Sequence, residues 1–105
     1  MRIPIILMGS DVDVWVNGLH VDGSAAYDNA ASGYVQVLDG SGNQLAGTIN
    51  YAFAYQAASN GNYLATIPNS VALTEDDEYF VQTVITGSSG AMLVKRTRVR
   101  AGYAS

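Results

Sequence analysis

The sequence predicts an all-β fold: a single antiparallel β-sandwich of immunoglobulin type, with about seven strands. Two observations carry that expectation. Side chains alternate with a period of two along nearly the whole chain, and no window shows a comparable 3.6-residue period. Glycine-rich turns interrupt the alternation roughly every 8–14 residues, the spacing of a sandwich built from short strands.

The elements follow in order. "IPIILM" (residues 3–8) is apolar and reads as a first strand. "DVDVWV" sets Val12, Val14 and Val16 against Asp11, Asp13 and Trp15, and "GYVQVLD" places Val35 and Val37 on one face. "TINYAFAYQ" puts Ile49, Tyr51, Phe53 and Tyr55 opposite Thr48, Asn50, Ala52 and Ala54, so these aromatics are expected in the core. "NYLATIP" groups Tyr63, Ala65 and Ile67 and stops at Pro68, which has no N–H to give a central ladder. "EYFVQTVITG" and "MLVKRTRVR" complete the set. Between them, "DGSGN" (39–43), "SNGN" (59–62) and "GSSG" (87–90) are turns that tolerate positive φ. The first and third are expected to close hairpins.

One local feature narrows the fold. In "VALTEDDEYFVQTV", Leu73 precedes a polar corner and Tyr79 opens the next strand. A tyrosine there, with its hydroxyl bonded back to the corner, is the tyrosine corner of immunoglobulin-like sandwiches. The chain has no cysteine, so the disulfide of antibody domains is absent.

The chain of 105 residues has the size of one domain. It divides into residues 1–10, an apolar N-terminal arm or first strand, and residues 11–105, the sandwich. With 49% hydrophobic and 13% charged residues it is not a disordered acidic tail. The run after Arg2 ends at Gly9, is broken by Pro4 and is shorter than a signal core of roughly 7–15 residues. No stretch approaches the ~20 apolar residues of a membrane span. A chain made and used without export is the expectation. The net charge of −4 repels phosphate at long range.

The run from Val35 to Val84 resembles the short immunoglobulin-like proteins of tailed-bacteriophage structural gene clusters. It is also similar to the immunoglobulin-like domains of phage baseplate and decoration proteins. The matching elements are the D-G-S-G hairpin, G-N-Y-x-A-T-I-P (Gly61 to Pro68), and Leu73 six residues before Tyr79. The likeness spans residues 10–100 and implies a non-enzymatic structural protein of a virion. By that resemblance it is a capsid decoration, head–tail or baseplate component, with major capsid or tail-assembly subunits as partners.

Candidate chemistry is sparse. His20, the only histidine, alternates with Asp22 and Ser24. Same-face neighbours on a strand lie roughly 6.5–7 Å apart, beyond hydrogen-bond reach. Asp39, Ser41 and Asn43 echo the opening of a calcium loop but lack the closing acidic residue. Glu75 to Glu78 is a solvated acidic corner. No catalytic, cofactor or metal residue is assigned, and no cofactor is expected.

"MLVKRTRVR" holds four of the five positive charges. On a strand, Arg96, Arg98 and Arg100 share one face, and Lys95, Thr97 and Val99 the other. Such charges blunt a sheet edge, and arginine is also enriched where proteins meet. No aromatics interleave for base stacking, so nucleic acid is not the expected partner. Trp15 points outward if Val12, Val14 and Val16 point inward. The expected interface is therefore Ile3, Ile5, Ile6, Trp15, Arg96, Arg98 and Arg100, in a homo-oligomer or a lattice with other virion subunits. The alternative is a module that recognises carbohydrate or a host surface through a concave aromatic patch.

Overall fold

Alternation becomes strand where one face can be buried against a second layer, and eight strands form among the described residues. The computed structural model describes residues 5–7, 11–21 and 23–102, all of it strand, turn or loop with no helix. In chain order the strands are β1 (Ile5–Leu7), β2 (Val12–Val16), β3 (Ser32–Leu38), β4 (Tyr51–Ala52), β5 (Ala54–Tyr55), β6 (Tyr63–Ile67), β7 (Glu78–Thr86) and β8 (Met92–Gly102).

They form two sheets, one in the order β1-β8-β7-β3-β4 and one in the order β2-β6-β5. Labelling β2 to β8 as B, C, C′, D, E, F and G gives a G-F-C-C′ sheet facing a B-E-D sheet, the strand arrangement of an immunoglobulin sandwich. The tyrosine corner is present. Tyr79 is buried at the start of β7, and its hydroxyl accepts the Thr74 backbone N–H at 2.8 Å.

The long hairpin β7–β8 runs in register from Glu78↔Arg100 to Thr86↔Met92. It closes through "GSSG", where the Gly90 N–H donates to the Gly87 carbonyl at 2.9 Å. "DGSGN" turns β3 back on itself: Asp39 Oδ1 accepts the N–H groups of Ser41 (2.9 Å) and Asn43 (3.1 Å). A carboxylate bonded to its own backbone in this way is an Asx turn.

β2 to β8 form the expected antiparallel sandwich, and β1 adds at its edge, parallel with the end of β8, from Ile5↔Arg100 to Leu7↔Gly102. One expectation needs correction: "TINYAFAYQ" is not one strand. It crosses between the layers at Phe53, so that Tyr51 pairs with Val35 in one sheet and Tyr55 with Tyr63 in the other. The crossing leaves Ile49 exposed and Tyr55 at the edge of exposure, while Tyr51 and Phe53 pack against the core.

The core lies between Val35, Val37, Tyr79, Val99 and Ala101 of the larger sheet and Ala65 and Ile67 of the smaller, with Ile6 joining from β1. Each such aliphatic side chain fully withdrawn from water contributes roughly 1.5–3 kcal/mol. The apolar N-terminal run thus has its Ile5–Leu7 segment in the sheet of its own chain. Of the seven expected interface residues, Ile6 is 3% exposed and packed in the core. Ile5 is placed by its backbone register only, and Ile3 lies outside the described residues.

Candidate functional site

β8 carries its charges as alternation dictates, with Arg96, Arg98 and Arg100 on the outer face of the larger sheet. Each guanidinium has a neighbour across the ladder. Arg98 Nε lies 3.5 Å from Glu78 Oε1, and Arg100 Nη1 donates to Asp76 Oδ1 at 3.2 Å. Arg96 donates through Nε (3.1 Å) and Nη2 (2.9 Å) to Gln82 Oε1. Gln82 Nε2 donates in turn to Gln36 Oε1 (3.0 Å), and Gln36 Nε2 to Asn50 Oδ1 (3.0 Å). Arg96 and Arg98 also flank the Phe80 ring, 5.5 and 5.8 Å from its centroid, within cation–π range. The arginine face is therefore an ordered, exposed surface. Among the described residues, Lys95 and Arg96 are the β8 cations without a carboxylate partner.

The inner face of β8 is only half covered. Val99 and Ala101 are buried, whereas Leu93 is 55% exposed. The two sheets part here, leaving a groove of about 410 Å³. Its walls are Val14, Trp15 and Val16 of β2 on one side and Leu93, Lys95 and Thr97 of β8 on the other, over a floor from β7. A second hollow of about 250 Å³ continues it past Leu93 and Ile85 toward Leu19 and His20. Trp15 (49% exposed) lines the groove and Met92 (67%) the second hollow, while Val94 (55%) lies on the outer face of β8. A clustered apolar margin around an apolar groove marks a binding surface better than scattered exposed residues do.

Both strands that bound the groove are open on its side. Among the described residues β2 pairs with β6 alone. β8 has β7 along one side and β1 only at Arg100–Gly102, so Met92–Val99 has no second partner among the described residues. The flank thus offers unpaired main-chain groups together with an apolar cleft, the requirements for strand addition.

The remaining candidates sit in turns, bridges and strand pairs. His20 makes a single bridge to Tyr27 and stacks on its ring at 4.6 Å. Asp22 lies outside the described residues, and Ser24 Oγ accepts the Ala26 N–H. Asp39 is held in its turn. Among the described residues no three acidic or histidine side chains gather as metal ligands. Tyr55 and Tyr63 are tilted against each other at 5.5 Å between centroids. Trp15 lies across the sheet from Leu64 rather than beside another aromatic.

Asp28, which alternation does not single out, is the one buried acidic residue among those described. Its Oδ2 accepts the Ser88 N–H at 2.9 Å and the Ser88 hydroxyl at 3.1 Å, and its Oδ1 accepts the Ala30 N–H at 3.1 Å. The Ser88 backbone bond is the main reason its carboxyl is held below the usual value; the Ala30 and Ser88 hydroxyl bonds act the same way, and burial opposes them. Its carbonyl accepts the Tyr63 hydroxyl at 2.6 Å. Asp28 therefore ties the β2–β3 connection to the β7–β8 turn and to β6, which fixes the upper end of the groove. The only sequence signal is a carboxylate inside a glycine-bounded loop.

The fold and site together define a two-layer β-sandwich with an open, apolar flank between β2 and β8 among the described residues. Compared with protein-family models, curated proteins and solved structures, the chain matches none.

Proposed function

We propose that the chain is a non-enzymatic structural subunit of a tailed-phage virion, binding other virion subunits through the open flank of its sandwich. The observation that carries the binding role is the apolar groove between β2 and β8, lined by Val14, Trp15 and Val16 on one side and the exposed Leu93 on the other. Arg96 and Arg98 extend that surface with exposed donors for a partner's carboxylates. The virion setting rests on the resemblance of the D-G-S-G hairpin, the G-N-Y-x-A-T-I-P strand and the Leu73–Tyr79 spacing to phage structural domains. Capsid decoration, head–tail and baseplate positions all suit a small domain of this kind.

The test is the composition of particles. Phage particles purified from a host carrying the gene are expected to contain the chain in a fixed ratio to the major capsid or tail protein, measured by quantitative mass spectrometry. Particles that assemble without it, from cells in which the chain accumulates, would overturn the assignment.

A further inference from the structure

We propose that the open flank pairs with the same flank of a second copy, β2 of each chain adding antiparallel to β8 of the other. The proposal rests on the reading of the chain as a protein-binding subunit and names one partner for that surface. Three observations converge on it.

First, the two unpaired edges border a single groove. A two-fold axis along that flank therefore makes the β2–β8 contact twice, as an isologous interface requires.

Second, the two edges carry opposite charge on corresponding faces. β2 presents exposed Asp13, with exposed Asp11 just before it, and β8 presents exposed Arg96 and Arg98. Pairing β8 with β8 centred on Thr97 would set Arg96 across from Arg98, and β2 with β2 centred on Val12 would set Asp11 across from Asp13. Like charges directly opposite are destabilising. The mixed pairing instead sets opposite charges across from each other, so the charges that blunt one edge suit the other.

Third, one antiparallel register satisfies charge and apolar pattern together. Setting Asp13 opposite Arg98 also sets Trp15 opposite Arg96 and Val14 opposite Thr97. The carboxylate then meets a guanidinium, and the indole offers its face to the second arginine. The inward valines fall into the half-covered groove. β1 occupies the β8 edge only from Arg100 onward, so the register runs free of it.

The experiment is light scattering and analytical ultracentrifugation of the full chain with three variants: Asp13→Arg, Arg98→Asp and the two combined. Both positions are exposed, and circular dichroism checks each variant's fold. The expected result is a dimer that each single reversal weakens by at least about tenfold and the double reversal largely restores, the signature of direct coupling. Emission from Trp15, the only tryptophan, is expected to shift to shorter wavelength on dimerisation. A chain that stays monomeric at ~100 μM, where a specific interface of standard size should be populated, overturns the proposal. So does a dimer indifferent to both reversals, or single losses that the double variant does not recover. A monomer in solution that is nonetheless found in particles refutes the self-pairing alone. A dimer absent from particles refutes the virion role alone.

Discussion

The Asp28 carboxylate and the Ser88 amide meet at 2.9 Å although sixty residues separate them in the chain. This bond joins the β2–β3 connection to the β7–β8 turn, where three further donors, the Ser88 hydroxyl, the Ala30 N–H and the Tyr63 hydroxyl, converge on the same residue. Asp28 has its folded-state pKa depressed, chiefly by the Ser88 N–H. Its contribution is complete above the unfolded value of about 3.9 and is lost as pH falls through the lower folded value. Asp28→Asn is expected to lower the melting temperature by several degrees at pH 7, because the amide sets a donor against a donor. The gap to the native chain should close below about pH 4. Thermal melts followed by circular dichroism from pH 7 to pH 2 check this. A gap that stays constant across that range would falsify the charge-based account.

The tyrosine corner makes a smaller prediction. Tyr79→Phe removes one hydroxyl acceptor from the Thr74 N–H and leaves the ring in place. The expected cost is about 0.5–1.5 kcal/mol, read from urea unfolding with an unchanged slope. An unaltered midpoint would show that water replaces the hydroxyl at no cost.

Gly61 and Gly47 separate two reasons for glycine. Both adopt positive φ, +69° and +83°. A Cβ at Gly47 meets nothing within 4 Å, whereas one at Gly61 overlaps the Leu19 backbone, whose N–H donates to the Gly61 carbonyl at 3.0 Å. Gly47→Ala is expected to cost roughly 1–2 kcal/mol from left-handed backbone strain alone. Gly61→Ala should cost clearly more, with loss of amide-exchange protection at Leu19. Equal costs at the two sites would remove steric crowding from the explanation.

Ile6 decides how the N-terminal run is used. Because its side chain lies in the core beside Ala101, Ile6→Ala is expected to lose about 2–5 kcal/mol. The loss should be the same at low and high protein concentration, since the burial is within one chain. Destabilisation that appears only above the association concentration would instead assign Ile6 to an interface.

The sequence by itself determined the class of fold, because strand periodicity and turn chemistry are local. Val12, Val14 and Val16 alternate whatever they pack against. Asp39 closes its own turn, and the six-residue step from Leu73 to Tyr79 sets a corner within one short segment. The outward arginines of β8 were legible for the same reason. What only the tertiary structure decided are relations between distant segments. Period two says which residues share a face but not which sheet receives them, so the crossing at Phe53, the exposure of Ile49 and the parallel seating of β1 had no local signal. Asp28 is buried because Ser88, Ala30 and Tyr63 converge on it. The groove exists because two sheets part at one flank, and a gap between layers is written in no single stretch of chain.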